Sequence, residues 1–108
     1  MYMDYFEIRV EDQDSDTNWI SNHRHDFMCK VYDRIGYAID NNLEKAKLFK
    51  ETVGVGSERK VLRSVNIYLK ELKGGSYLKN TMLKHFEREE DYEKCANIAI
   101  WIKKLDSL

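Results

Sequence analysis

The 108-residue chain contains no proline and only two cysteines, Cys29 and Cys95. Because proline breaks helix interiors, its absence leaves the long segments rich in Lys, Glu, Leu and Ala free to be helical. The opening residues carry acids and lack the basic-then-apolar order of a signal peptide. We therefore expect reduced thiols and a cytoplasmic location.

The sequence also lacks any run of about 18 apolar residues, which argues against a membrane-spanning helix. Hydrophobic residues make up 43% of the chain and charged residues 34%, which is typical of a soluble protein with a real core. A chain of this size buries roughly two-thirds of its unfolded surface and folds without a disulfide or a metal. We predict one domain over residues 1–108.

Within that domain, residues 1–17 are predicted to be an N-terminal arm with an acidic linker, and residues 18–108 a helical bundle. The pattern leaves the first ten residues open between strand and helix. From Trp19 to Ile39 the apolar spacing is helical, and its stripe consists of Ile20, Phe27, Val31, Ile35 and Ala38.

Four further helices are predicted downstream. "LEKAKLFKETV" indicates a short helix that ends at the glycines of "GVG", and a longer helix with an apolar stripe follows from Ser57 to Leu72. "GG" stops that helix, Ser76 caps the next, and Asp91 caps the last. Helices joined by short links predict an all-α fold, a compact bundle of about five helices arranged as helical hairpins.

The C-terminal quarter resembles two families of helical hairpins. "VNIYLKEL" matches "IAIWIKKL" at an offset of 33 residues, close to the period of stacked helical repeats. "EREEDYEKCANIAIWI" is similar to the turn and second helix of a tetratricopeptide hairpin, with Glu90 at the usual Gly position and Cys95 at the usual Ala position. "LKHFEREEDYEKCANIAIWIKKL" is also similar to the UVR hairpin, although Ala99-Ile100 replaces the usual Arg-Asp. Both resemblances imply a role in binding other proteins.

The last helix carries more apolar residues than one core face needs. Seven of the eight residues from Cys95 to Ile102 are apolar. On a helical wheel, one arc contains Tyr92, Cys95, Ile98, Ala99, Ile102 and Leu105, whereas Ile100 and Trp101 fall outside it. Either neighbouring helices bury this surplus in a two-sided core, or it docks a partner. We predict docking, with Trp101, Ile100, Ile67 and Trp19 as the partner-binding residues.

A basic segment supports an alternative function. Net charge is −1, but acids predominate in residues 1–40 and bases in residues 41–80. Two helices joined by "GVGS" would then form a helix-turn-helix-like nucleic-acid-binding surface. Its basic residues would be Lys45, Lys47, Lys50, Arg59, Lys60 and Arg63. Solvation or internal pairing of these charges is the simpler interpretation.

No catalytic motif is present, so we expect no enzyme activity, no cofactor and no metal. His25 and Cys29, four residues apart, share a helix face, and His85 and Cys95 would complete a Cys2His2 zinc set. The His85-to-Cys95 spacing matches no known ligand pair, so this set is not predicted to bind zinc.

We therefore predict a small non-enzymatic protein–protein interaction module, an adaptor or an inhibitor, that binds another protein or itself. In its shortness and its richness in Asn, Lys and Tyr, the chain also looks like small accessory proteins of tailed phages, which act on host proteins. That resemblance is one of overall composition and involves no motif.

Overall fold

The structure is a computed structural model that describes residues 5–10, 20–54, 58, 60–74 and 76–107. Its strands are β1 (Phe6–Val10), β2 (Lys45–Val53) and β3 (Lys60–Tyr68). Its helices include α1 (Arg24–Asp40), α2 (Leu69–Leu72), α3 (Lys84–Arg88) and α4 (Tyr92–Asp106). A π-helical segment, π1 (Leu78–Leu83), runs directly into α3. The fold is mixed α/β, and the predicted all-α bundle is wrong.

The three strands form one sheet in the order β1-β2-β3. β1 pairs in parallel with β2, with Phe6 opposite Phe49, and β2 pairs antiparallel with β3, with Phe49 opposite Val65. α1 connects the two parallel strands, because parallel neighbours need a crossover. The first residues, which the sequence left open, thus supply an edge strand.

The two central segments predicted as helices, from Leu43 to Val53 and from Ser57 to Leu72, form β2, β3 and the single turn α2. β3 contains the β-branched residues Val61, Val65 and Ile67, whose side chains are crowded in a helix and pack well in a sheet. Gly54, at φ 115°, follows the last residue of β2. Strand propensity and sheet pairing therefore override the apparent helical stripe.

One face of the sheet packs against α1. The Phe27 ring meets the Phe49 ring edge-on with 5.7 Å between centroids, and Ile8 is fully buried. The cationic groups of Lys30 and Arg34 lie 5.5 Å and 5.7 Å from the centroid of the Phe6 ring. These contacts fix the N-terminal strand beneath the first half of α1.

The other side of α1 packs against α3 and α4. Tyr32 meets Phe86 edge-on with 5.6 Å between ring centroids. The remaining helices contribute the fully buried side chains Leu78, Met82, Phe86, Ile98 and Leu105. All of these belong to one hydrophobic core that also includes the buried side chains of β1 and β2. α1 is thus the central layer between the sheet and the C-terminal helices.

The turn between α3 and α4 orients the last helix. The Asp91 carboxylate accepts a hydrogen bond from the Lys94 backbone N–H at 3.3 Å, which confirms the predicted N-cap. Lys94 Nζ also lies 3.0 Å from Asp91 Oδ2, and this hydrogen bond lowers the pKa of the Asp91 carboxyl. Glu90, just before the cap, adopts φ 58°.

Replacing Glu90 with glycine is expected to stabilise the protein. The left-handed conformation costs a side-chain-bearing residue about 1–2 kcal/mol, and glycine loses about 0.5–1 kcal/mol more conformational entropy on folding. Glu90→Gly should therefore raise the free energy of unfolding in urea by up to about 1 kcal/mol. Asn42→Gly, at φ 53°, is the matched control and should gain less, because asparagine tolerates this conformation. A lower urea midpoint for Glu90→Gly would contradict this account of the turn.

Candidate functional site

One side of α4 is part of the core. Its buried residues are Ile98, Trp101 and Leu105. Trp101 is only 8% exposed, and the centroid of its indole lies 4.7 Å from that of the Tyr32 ring. Asn97 Nδ2 donates a hydrogen bond of 2.8 Å to the Tyr32 hydroxyl. Trp101 is therefore a contact between α4 and α1 and is not an exposed anchor.

A glycine in the middle of α1 makes room for this indole. A Cβ placed on Gly36 would lie 2.8 Å from Trp101 Cζ2 and 3.2 Å from Cη2. Real side chains do not approach that closely, so Gly36 and Trp101 form a complementary pair. Glycine is unfavourable in a helix interior. A glycine at such a position is therefore a sequence signal that another side chain packs close to the helix backbone.

The opposite side of α4 is exposed and largely apolar. We define the outer face of α4 as Tyr92, Ala96, Ala99 and Ile100, which lie within an arc of about 100° on the helix. Tyr92 is 67% exposed and Ile100 60%, and both alanines are exposed. The charged side chain of Lys103 lies in the same arc. The predicted core arc was thus rotated, because Tyr92 and Ala99 were placed in the core and Trp101 outside it.

The four predicted partner-binding residues occupy different environments. Ile100 is on the outer face of α4, whereas Trp101 belongs to the core. Ile67 is half-buried against the core and pairs with Ala46 in the sheet. Trp19 lies outside the described residues. The three of these residues that the structure describes therefore do not form one exposed surface.

The basic segment forms the β2–β3 hairpin and α2, so the predicted helix-turn-helix is wrong. Lys45, Lys60 and Arg63 are exposed, Lys47 and Lys50 are half-buried, and Arg59 lies outside the described residues. Arg63 Nε lies 3.2 Å from Glu51 Oε2 on the neighbouring strand. Lys47 Nζ lies 5.5 Å from the centroid of the Tyr5 ring. At least these two cations interact within the molecule.

Exposed apolar side chains also occur on β3. Val61 and Leu62 are both more than half exposed, and among the described residues β2 is the only strand paired with β3. Lys60 and Arg63 flank them, and the register with β2 shifts at this point. Charges and bulges of this kind protect an edge strand from pairing with another chain. On the outer face of α4, the charged Lys103 lies in the same arc, three residues after Ile100.

A second cluster lies where the start of α1 meets α3 and Glu89, the residue that follows α3. His25 Nδ1 is 3.0 Å from His85 Nε2, and the two rings are stacked with 5.2 Å between centroids. His25 Nδ1 is also 3.9 Å from Glu89 Oε1. Among the described residues, these three form the one group of His, Cys, Asp or Glu side chains close enough to share a metal ion.

Cys29 lies at the edge of this cluster, with its Sγ 3.6 Å from His25 Nε2. Burial lowers the pKa of His85, and the neighbouring His25 lowers it further. Burial also raises the pKa of the Cys29 thiol. A neutral imidazole and a protonated thiol are therefore favoured here at neutral pH.

Three residues of the zinc set considered from the sequence do come together: His25, Cys29 and His85. Cys95 is not part of this cluster, and its Sγ lies 4.0 Å from the carbonyl oxygen of Leu83. Sequence reasoning missed Glu89. The signal was its position four residues after His85, which places both side chains on one helix face.

Comparison of the chain with protein-family models, with curated proteins and with solved structures gave no match. Within the described part of the chain, none of the helices combines the length and the apolar character needed to cross a membrane.

Proposed function

We propose that this protein is a protein-interaction module that binds through the outer face of α4. The observation that supports the proposal is the exposed apolar stripe of Tyr92, Ala96, Ala99 and Ile100 on the helix side opposite the core. Single exposed apolar residues are normal on a protein surface, whereas contiguous patches commonly mark contact sites. Ile100, predicted as an anchor from the sequence, is the central residue of this proposal.

The partner that best fits this face is a second copy of the chain, packed with its α4 antiparallel to the first. Ala96 and Ile100 are equidistant from Ile98 in sequence, so the large side chain of each copy would meet the small one of the other. Glu93 and Lys103 are equidistant too, and opposite charges would face each other across the contact. A twofold arrangement uses the same surface on both copies, so both complementarities occur twice.

The expected affinity is modest. Full burial of a side chain such as that of Ile100 contributes about 1.5–3 kcal/mol, and association costs at least about 4 kcal/mol of translational and rotational freedom. A contact made through one 15-residue helix also buries less surface area than a standard protein–protein interface. We expect a dissociation constant on the order of micromolar to millimolar, so self-association must be measured at high protein concentration.

Light scattering over a protein-concentration series tests the proposal. The average mass of the wild-type protein should rise toward that of a dimer, and Ile100→Glu should remain monomeric, because it places a charge at the centre of the contact. Leu62→Glu, a matched change at an equally exposed apolar residue on β3, should behave like the wild type.

Three results would contradict the proposal in this form. A wild-type monomer at all concentrations would exclude the second copy as the partner. Dissociation by Leu62→Glu and not by Ile100→Glu would place the contact on β3. Nucleic-acid binding that weakens steeply with added salt would instead favour the basic hairpin, because counterion release makes such binding salt-dependent.

A further inference from the structure

We propose that His25, His85 and Glu89 form a binding site for a divalent transition-metal ion, with Zn²⁺ as the best fit. The site is separate from the outer face of α4. It would link the first turn of α1 to α3 and to Glu89, the residue that follows α3. Two imidazoles and one carboxylate are the donor types that Zn²⁺ accepts, and an ion held by three protein ligands keeps one position open for water.

The distances agree with coordination by these three side chains. Ligand atoms at about 2.0–2.1 Å from a tetrahedral Zn²⁺ stand about 3.3 Å from one another. Here His25 Nδ1 is 3.0 Å from His85 Nε2 and 3.9 Å from Glu89 Oε1, and all three atoms lie within 4.8 Å of one another. Adjustments of up to about 1.5 Å in these separations would complete the geometry.

The fold supplies one fixed ligand and two adjustable ligands. The His85 side chain is buried, and its ring packs edge-on against Phe86 with 5.1 Å between centroids. The side chains of His25 and Glu89 are about half exposed, at 53% and 45%. They are therefore free to close around an ion that His85 already faces, and solvent reaches the open position.

Cys29 supports this ligand set from outside it. Its Sγ lies beside Nε2 of His25, the nitrogen that does not face His85. A histidine bound to a metal through one nitrogen commonly donates its other N–H to a nearby acceptor, which fixes the tautomer and the ring orientation. Cys29 is placed to act as that acceptor, so it is a positioning residue and not a ligand.

The competing interpretation is a hydrogen bond between the two imidazoles, without any metal. In that state one of the two facing nitrogens carries a proton and donates it to the other. Binding of Zn²⁺ would displace this proton, because both nitrogens must offer lone pairs to the ion. The two interpretations therefore differ in a measurable property, the uptake of one Zn²⁺ ion per chain.

Calorimetric titration of the full-length protein with Zn²⁺ tests the proposal, with the melting temperature measured in parallel. One ion should bind per chain, and Zn²⁺ should raise the melting temperature, since a ligand of the folded state stabilises it. His25→Ala and Glu89→Gln change exposed side chains and should fold normally. Each should weaken Zn²⁺ binding by more than about 10–100-fold, which is the usual effect of removing a residue that only hydrogen-bonds to a metal ligand.

His23→Ala is the matched control, because His23 is an exposed histidine two positions from His25 and outside the cluster. It should bind Zn²⁺ like the wild type. Cys29→Ser keeps an acceptor beside His25 and should weaken binding about tenfold or less. The monomeric variant Ile100→Glu should also bind normally, which separates this test from that of the proposed function.

The proposal is overturned if millimolar Zn²⁺ produces neither binding heat nor a change in melting temperature. It is equally overturned if His25→Ala and Glu89→Gln bind as tightly as the wild type, since the ion would then be held elsewhere. Binding that survives His25→Ala but disappears when both cysteines become serine would assign the ion to the thiols and exclude the His–His–Glu set.

Discussion

Trp101→Ala is expected to lower the free energy of unfolding by about 3–5 kcal/mol, the usual cost of truncating a large buried aromatic side chain. The indole fills the space between α4 and α1, against Tyr32 and Gly36. Its removal leaves a cavity that the backbones of two helices cannot close. Because small domains are stable by only about 5–15 kcal/mol in total, the variant should be largely or partly unfolded at 37 °C.

Urea unfolding followed by circular dichroism measures this effect, and Ile100→Ala is the matched control one residue away. Ile100 is mostly exposed, so its truncation should change stability by less than about 0.5 kcal/mol. Equal losses for the two variants would show that α4 is oriented differently. A stable Trp101→Ala protein with impaired self-association would restore the docking role predicted for Trp101 from the sequence.

Gly36→Ala is expected to destabilise the protein by up to about 2 kcal/mol, even though alanine is the better helix former. The propensity gain is about 1 kcal/mol. The new Cβ would lie 2.8 Å from Trp101 Cζ2, so the indole or the whole of α4 must shift. Overpacking of a dense core costs about 1–3 kcal/mol and sometimes more. The clash is expected to exceed the propensity gain because both partners lie on helix surfaces packed against the core.

A double-mutant cycle separates the two contributions. In a Trp101→Phe background the ring atoms nearest to Gly36 are absent, so Gly36→Ala should become neutral or slightly stabilising. The interaction energy between the two positions should reach about 1 kcal/mol or more, as expected for residues in direct contact. If Gly36→Ala changes the free energy of unfolding equally in the wild-type and Trp101→Phe backgrounds, the Trp101 indole does not lie against Gly36.

The helical periodicity of the sequence identified the two helices that organise the molecule. The stripe that includes Val31, Ile35 and Ala38 predicted α1, and Asp91 was correctly predicted as the N-cap of the last helix. Both signals are local, because they depend on spacing and capping within a single element. They required no knowledge of what each helix packs against.

The hairpin was missed because its strongest signal is not local. Val61, Leu62 and Val65 fit a helical stripe as well as they fit a strand. The glycines on either side of this segment are compatible with both a helix end and a turn between strands, so they do not decide between the two. The strand assignment is determined by partners, since β2 pairs with β1 from the N-terminus and with β3 on its other edge. Such tertiary pairing overrides the intrinsic preference of short segments.

The orientation of α4 was missed for a related reason. A wheel drawn from apolar residues alone placed Tyr92 and Ala99 inward. In the structure, Lys94 lies on the inner side, with its Nζ 5.3 Å from the centroid of the Tyr32 ring. Long lysine stems commonly cover apolar surface in this way. Gly36 was not singled out from the sequence, although a glycine in a helix interior is unfavourable and can mark a close approach by another side chain.

The outer face of α4 and the His25–His85–Glu89 cluster differ in how well they could be predicted from the sequence. Ile100 was identified because the apolar residues of the last helix exceed one face, and the structure places it on the surface. The facing of His25 and His85 depends on how α3 is packed beside α1, across 60 residues of chain. The sequence led us to expect no metal, and the proposal of a Zn²⁺ site departs from that expectation on geometry alone.

The central claim, that the outer face of α4 binds a second copy, is tested most directly by recording backbone amide NMR spectra over a dilution series. The amides of Tyr92, Ala96, Ala99 and Ile100 should shift together with protein concentration and fit one dissociation constant, while those of Val61 and Leu62 stay constant. Shifts confined to β3, or spectra that do not change up to millimolar concentration, would contradict the claim.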